Sequence, residues 1–356
     1  MAGPPRSREN SDWIAHNPIR LLDGTIRSTP RGYSPAQMRH AYGVDQVAGT
    51  GSNQTIAIVD AYGSPTIQND LDVFCQTYGI PLTTIEIAYP QGKPRRQNRG
   101  WALETTLDVE WAHAIAPGAK IMLVVGRSAS IPDLLGSVDF AVKHGATQVS
   151  MSWGAAERSS QRKFESLFGT PCVSFIASSG DSGAGAFWPA SSPNVLAVGG
   201  TTLILDTNSV ILSEAGWSGS GGGQSRFFPR PAYQNGWHGS TQRGVPDVSY
   251  SADPRTGVAI YMSNGNNPPG WTTVGGTSAG APQVAAMLAI ANSSRTTPLA
   301  DDHQALYDAA AANRQLFFND IVSGNNGSFY CTAAYDYVTG LGSPLNNLLI
   351  PALIGY

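Results

Sequence analysis

The segment Trp101–His113 reads W-A-L-E-T-T-L-D-V-E-W-A-H and sets two carboxylates, Glu104 and Asp108, four residues apart. On a helix that spacing brings both to one face, with Cβ atoms about 5–6 Å apart. Carboxylates that close do not both ionise cheaply, so they tend to share a proton. Such a pair serves as a base in acid, where an imidazole is already protonated. Leu103, Leu107, Ala112 and Ala114 make the helix apolar rather than solvated. Glu110 falls on the other side and is expected to face solvent, and His113 lies about 140° around the helix from Asp108.

The group such a base could serve is Ser278, in the stretch T-T-V-G-G-T-S-A-G-A-P-Q-V-A-A-M-L-A-I that ends at Ile290. A serine ahead of a helix either caps it, accepting a backbone N–H bond, or acts as a nucleophile, and the stretch alone leaves both open. Pro282 suits a first helical turn, and Gly275 and Gly276 let a substrate backbone approach closely. The positive end of a helix dipole is also a place where an oxyanion can be held. Of six histidines (His16, His40, His113, His144, His238 and His303), none sits in a Gly-His-Gly setting at a strand end, so histidine is not the obvious base. Asp181, in S-S-G-D-S-G-A-G, is either an Asx-turn residue or, kept neutral, an O–H donor to a developing oxyanion.

Something must position these groups. Short β-branched runs alternate with helical patterns: QTIAIVDAY then TIQNDLDVFCQTYG, KIMLVVG then IPDLLGSVDFAVKHG, followed by TQVSMSW, CVSFIAS and NVLAVGG. Apolar strands separated by helices predict a parallel sheet covered on both faces. In such a sheet reactive groups collect at the carboxyl ends of the strands. Asp60, Ser152-Trp153-Gly154 and Ser179-Gly180-Asp181 all fall there.

The 356 residues, 41% of them hydrophobic, suit one large α/β domain or two ordinary ones, and no repeat or biased linker divides them. A net charge of -3 with scattered basic residues leaves no footprint for nucleic acid. The charged fraction of 13%, about half the usual value, hints at tolerance of acid, because fewer carboxylate pairs are lost on protonation. No apolar run approaches a membrane span, and the first residues carry no signal-peptide core. Cys75, Cys172 and Cys331 form no C-x-x-C pair, and Cys172 is expected to be a buried thiol. The Gly219–Gly223 run lacks the following Lys-Ser/Thr of a phosphate loop and is expected to let the chain bend beside a cleft.

Taken in order, Glu104-x-x-x-Asp108, Ser152-Trp153-Gly154, Ser179-Gly180-Asp181-Ser182-Gly183 and Gly276-Thr277-Ser278-Ala279-x-x-Pro282 resemble the sedolisin family of serine-carboxyl peptidases, kumamolisin-like enzymes with a subtilisin-like fold. Tyr33-Ser-Pro-Ala-Gln-Met-Arg-His-Ala-Tyr42, Pro246-Asp-Val-Ser249 and Val338-Thr-Gly-Leu-Gly-Ser-Pro344 extend the resemblance from about residue 32 to the C-terminus. It implies a three-layer α/β sandwich around a central, mostly parallel sheet of about seven strands. It also implies a single catalytic domain over 32–356, preceded by an arm or processing remnant over 1–31. By the same resemblance Ser278 is the nucleophile, Glu104 the general base and later acid, Asp108 the residue that orients it, and Asp181 the oxyanion-stabilising acid. Asp60 falls where relatives extend the proton network, or is simply a strand-end turn carboxylate. Ser152, Trp153, Gly154, Ser179, Gly180 and Gly276 are expected to line the peptide substrate, with the Ser152–Gly154 segment pairing with it as a strand.

The family also carries one structural Ca2+, for which 319–344 is the corresponding segment. Asp320 and Asp336 would give carboxylates, and Ile321, Thr332 and Ala334 carbonyls, although Thr332 and Ala334 stand where glycines are usual. The resemblance further implies an acid-active, secreted endopeptidase, a monomer that acts on proteins or peptides and engages neither nucleic acid nor membrane. A tripeptidyl peptidase or an inactive peptide-binding relative on the same scaffold are the alternatives. Relatives mature by losing an N-terminal prodomain, for which this chain has no room, and it is expected to represent the mature enzyme.

Overall fold

Residues 14–263 and 269–356 are described by a computed structural model; residues 1–13 of the expected N-terminal arm lie outside them. The central sheet has seven strands in the spatial order Ile211–Gly216, Leu196–Leu205, Ser174–Ser178, Gln148–Met151, Thr55–Ala61, Lys120–Gly126 and Glu86–Ala88. An eighth, Val248–Ser251, runs parallel to the first half of Leu196–Leu205. All neighbours are parallel except Ile211–Gly216. The expected mostly parallel, two-sided sheet is therefore present.

The strand Thr55–Ala61 explains the layering. Its side chains alternate between two apolar cores, Ile56 and Ile58 on one face and Ala57, Val59 and Ala61 on the other. Helix Ile131–Lys143 covers the second face with Leu134, Leu135, Val138 and Ala141. Helices Arg99–Ile115 and Ala281–Ser293 cover the first, through Leu107, Trp111, Val284 and Leu288 among others. A strand buried on both faces must be apolar at nearly every position, which is why TIAIV reads as a continuous run.

Helix Arg99–Ile115 starts at Asn98, whose side chain accepts the Trp101 N–H at 3.2 Å. From Trp101 to Ile115 every residue is buried, so this helix passes through the molecule instead of lying on it. Glu110, expected in solvent, is fully buried and accepts the Tyr261 N–H at 3.1 Å. His113 is buried too, with Nε2 2.7 Å from the Pro81 carbonyl. The alanine-rich helix Ala281–Ser293 is equally enclosed, since small side chains let it pack closely against the first.

Two further expectations are corrected or refined. Cys172 is exposed rather than buried, because the strand begins at Ser174 and Cys172 lies in the turn before it with φ 60°. Cys75 and Cys331 are buried, and all three thiols are free. Residues 14–21 run along the body, where Ile14 bridges Ser130, His16 bridges Gly154 and Arg20–Leu21 pair with Val274–Gly275; the chain then bends at Leu22–Asp23, with Gly24 at φ 66°, before Arg27 bridges Trp271. Among the described residues no helix is long and apolar enough to cross a membrane.

Candidate functional site

Asp60 is the last residue but one of strand Thr55–Ala61, Ser152 follows Gln148–Met151, and Asp181 lies just beyond Ser174–Ser178. These strands are parallel, so all three residues emerge on one edge of the sheet. Glu104 and Asp108 face that edge from the buried helix. Ser152 Oγ donates to Asp108 Oδ1 at 2.9 Å, joining helix to strand end.

The local backbone leaves Ser278 no role as a helix cap. The residue lies in the single 3-10 turn Thr277–Ala279, and helix Ala281–Ser293 is capped at Gly280 with no side-chain cap bond. Ser278 is fully buried, and its Oγ has no hydrogen-bond partner among the described residues. A serine that caps nothing and bonds nothing in the interior is available for chemistry.

Electrostatics bind the cluster together. Burial pushes Glu104 well above the ordinary carboxyl range, with the charges of Asp60 and Asp181 adding to it, while the nearby hydroxyl of Ser278 and the Asn17 amide oppose it. No hydrogen bond closes between Ser278 and Glu104, whose two oxygens are both buried without a partner. Burial likewise raises Asp108, assisted by Asp60 and Glu104 and opposed by Ser152. Asp60 is pushed up to about 7 by burial, against the Thr105 hydroxyl. Three mutually destabilised carboxyls hold fewer than three negative charges and share protons.

Asp181 is pushed up to about 7, by burial, although the Thr277 N–H and hydroxyl donate to its Oδ1 at 2.8 and 2.9 Å. Its Oδ2 is buried without a hydrogen-bond partner and stands 3.8 Å from Arg20 Nε. Below about pH 7 this carboxyl carries a proton, and Oδ2 is the oxygen free to present it. The loop that carries it is fixed by the glycine run, whose Gly221 N–H donates to the Gly180 carbonyl at 2.7 Å. A Cβ at Gly221 would fall 2.1 Å from the Ser179 carbonyl oxygen, so glycine is required for this close approach rather than for a phosphate.

The expected substrate-lining residues divide. Gly154 exchanges both backbone hydrogen bonds with His16, each at 2.9 Å. Trp153 is buried, with its indole N–H on the Val59 carbonyl. Gly180 spends its N–H on the Thr277 hydroxyl and its carbonyl on Gly221, so its backbone is not open to a peptide. Ser179 is buried with an unpartnered hydroxyl. Gly276 has φ 107°, and a Cβ there would lie 2.2 Å from the Pro18 carbonyl oxygen and 2.4 Å from Asp181 Oδ2. The arm's Pro18 carbonyl and the raised carboxyl thus converge over one glycine.

The arm was invisible in the sequence as part of a site. Ala15 N–H donates to the Ala129 carbonyl at 2.8 Å, His16 pairs with Gly154, and Arg20 Nη2 donates to the Asp181 carbonyl at 2.9 Å. His16, Asn17, Pro18 and Arg20 line a pocket of about 240 Å³ with Gly154, Gly180, Asp181 and Phe187. An extended segment hydrogen-bonded through its backbone is how a peptide adds to a sheet edge.

The residues expected to hold calcium do not fit it. Asp320 is engaged by the guanidinium of Arg314, which also donates to the Ala334 carbonyl. Asp336 is taken up by donors: Val338 N and Thr339 N on Oδ1, Thr332 N and the Thr339 hydroxyl on Oδ2. Among the described residues the grouping of acidic and histidine ligand atoms that could hold a metal is Asp301, Asp302 and His303, elsewhere in the fold.

The sequence model of the Subtilase family matches residues 100–327, which include all four candidate catalytic side chains. The chain is a sedolisin-type member of that family. It is 31% identical to kumamolisin of Bacillus sp. (strain MN-32) over 92% of this chain and 64% of that protein. It is 30% identical to tripeptidyl-peptidase 1 of Dictyostelium discoideum over 87% of this chain and 57% of that one. The structure of Pseudomonas sedolisin complexed with two molecules of pseudo-iodotyrostatin superposes with a TM-score of 0.79 at 26% identity, covering 91% of this chain and 98% of the other. The sedolisin-type chain thus spans about three fifths of the length of the curated relatives it matches.

Proposed function

We propose that this protein is an acid-active serine-carboxyl endopeptidase. Ser278 Oγ attacks the scissile carbonyl while the ionised form of Glu104, which its raised pKa makes the minor form in acid, accepts its proton, and Asp108, held by Ser152, keeps Glu104 oriented. The negative charge that develops on the carbonyl oxygen is met by the Ser278 N–H and the protonated Oδ2 of Asp181. Glu104 returns its proton to the leaving amine, leaving an acyl-serine. Water then attacks the ester and gives a proton to Glu104, which passes it to Ser278 Oγ as the ester C–O bond breaks, releasing the carboxylic acid product and regenerating both groups. Asp60 extends the shared-proton cluster and keeps the number of charges beside Glu104 low. Calcium takes no part in this reading, and we place the enzyme in an acidic extracellular setting.

The observation that carries the proposal is the arm lying along the cleft as a strand, its Pro18 carbonyl gathered with Asp181 Oδ2 over Gly276. It supports a groove that takes a peptide by its backbone and delivers a carbonyl to the acid. The arm also favours endopeptidase over tripeptidyl peptidase action. On the side N-terminal to Pro18 it continues through Asn17, His16, Ala15 and Ile14, still bonded to Gly154, Ala129 and Ser130. A site restricted to three residues there would end before Ala15.

Hydrolysis of matched peptides with free and blocked N-termini, at about pH 4, tests both statements. The expected result is cleavage of both substrates, with activity lost by about 10³-fold or more in Ser278→Ala and Glu104→Ala. Unchanged activity in either variant defeats the mechanism, and cleavage confined to free N-termini, three residues at a time, defeats the endopeptidase assignment.

A further inference from the structure

In the C-terminal segment the position expected of a metal ion is held by a side chain of the protein. Helix Asp302–Phe317 breaks its regular backbone at Asn313, which is extended (φ -165°, ψ 88°), and this break re-aims the next residue, Arg314. Its Nη2 donates to Asp320 Oδ2 at 2.6 Å, and its Nη1 stands 2.5 Å from Oδ1 as an ion-pair contact only, since Oδ1 is buried without a hydrogen-bond partner. Nη1 also reaches the Ala334 carbonyl at 3.4 Å. Both side chains of the pair are largely removed from solvent, at 12% and 18% exposure. A guanidinium beside a carboxylate supplies a positive charge that is kept at any pH the chain meets.

The rest of the segment is arranged around that cation rather than around a divalent ion. Calcium calls for six to eight oxygen ligands. Here Asp336 already accepts four hydrogen bonds, about the capacity of a carboxylate. Ala334 keeps φ at 71°, a left-handed backbone that a non-glycine residue resists, and with it the carbonyl orientation that Arg314 meets. We infer that Arg314 is the resident cation of this segment, its guanidinium joining Asp320 to the Ala334 carbonyl so that the fold holds together without calcium.

The test measures bound calcium by elemental analysis of the purified full chain, and thermal unfolding in excess EDTA and in millimolar calcium, at mildly acidic and at neutral pH. The parent chain is expected to carry far less than one calcium per molecule, with the same melting temperature under both conditions. Arg314→Ala is expected to melt several degrees lower and to expose residues 318–336 to faster amide exchange, with Arg314→Lys falling between because it keeps the charge but not the two separate nitrogens that reach Asp320 and Ala334. Calcium uptake by Arg314→Ala and not by the parent supports the inference. One calcium per parent chain, or a parent melting point that drops in EDTA, overturns it, as does an Arg314→Ala chain whose stability and exchange match the parent. If Arg314→Ala does not fold, the parent measurements and Arg314→Lys still decide the question.

Discussion

Arg20, in the N-terminal arm, grips Asp181 at two points: Nη2 donates to its carbonyl at 2.9 Å, and Nε stands 3.8 Å from its Oδ2. The arm thereby lies across the site and also favours the charged form of the carboxyl that the proposed chemistry needs neutral. Arg20→Ala removes both effects without touching a reacting group. An added peptide should then compete better for the cleft, seen as a lower KM and a several-fold higher kcat/KM. An unchanged kcat/KM in this variant would mean that the arm does not contend with substrate.

Asp181 sets the alkaline side of the pH profile. Its proton is retained up to about pH 7, so its O–H is present below that value and absent above it. As pH rises through 7 the carboxylate places a negative charge beside the oxyanion, and kcat/KM should fall. Asp181→Asn keeps N–H donors at every pH, so its activity, though lower, should lose this descent. Asp181→Ala removes the donor and should cost about 10²–10³-fold in kcat. Superimposable profiles for the parent and Asp181→Asn would place the controlling group elsewhere.

The same raised carboxyls make folding depend on pH. Asp60 and Asp181 ordinarily titrate near 3.8, and in the fold they are pushed up to about 7. Between those values the folded chain binds protons that the unfolded chain has released. Their contribution is fully present below about pH 4 and is lost as pH rises toward 7, by at most about 1.4 kcal/mol per pH unit for each group. The melting temperature should therefore decline from pH 4 to 7. Asp60→Asn should flatten the decline, and thermal unfolding followed by circular dichroism at several pH values measures both.

What could be read in advance follows from what the residues encode locally. Strands such as KIMLVVG announce themselves because both their faces are buried, and Glu104, Asp108, Asp60 and Asp181 fall on spacings or strand ends that a parallel sheet brings together. Glu110 misleads because helical periodicity gives an angle, not a depth: its helix runs through the interior, and its far side meets Tyr261 instead of water. The arm leaves no trace, since its bonds to Gly154, Ala129 and Asp181 run largely through backbone atoms that every sequence shares. Arg314 is equally silent. A lone arginine near a helix end reads as a solvated charge until the break at Asn313 turns it toward Asp320.

Gly276 ties these threads to one atom. Its φ of 107° lies where side chains are disfavoured, and a Cβ there would press on the Pro18 carbonyl at 2.2 Å and on Asp181 Oδ2 at 2.4 Å. The second clash is with the oxygen proposed to meet the oxyanion, and the first is with the carbonyl that lies in substrate position. Gly276→Ala should thus displace the acid and the incoming carbonyl together, lowering kcat/KM by about 10²-fold, as a misplacement of about 1 Å in an active site does. Backbone strain should lower the melting temperature by a few degrees at most, so activity and stability separate. A folded Gly276→Ala chain with parental kcat/KM would show that the carbonyl to be cleaved does not pass over this residue.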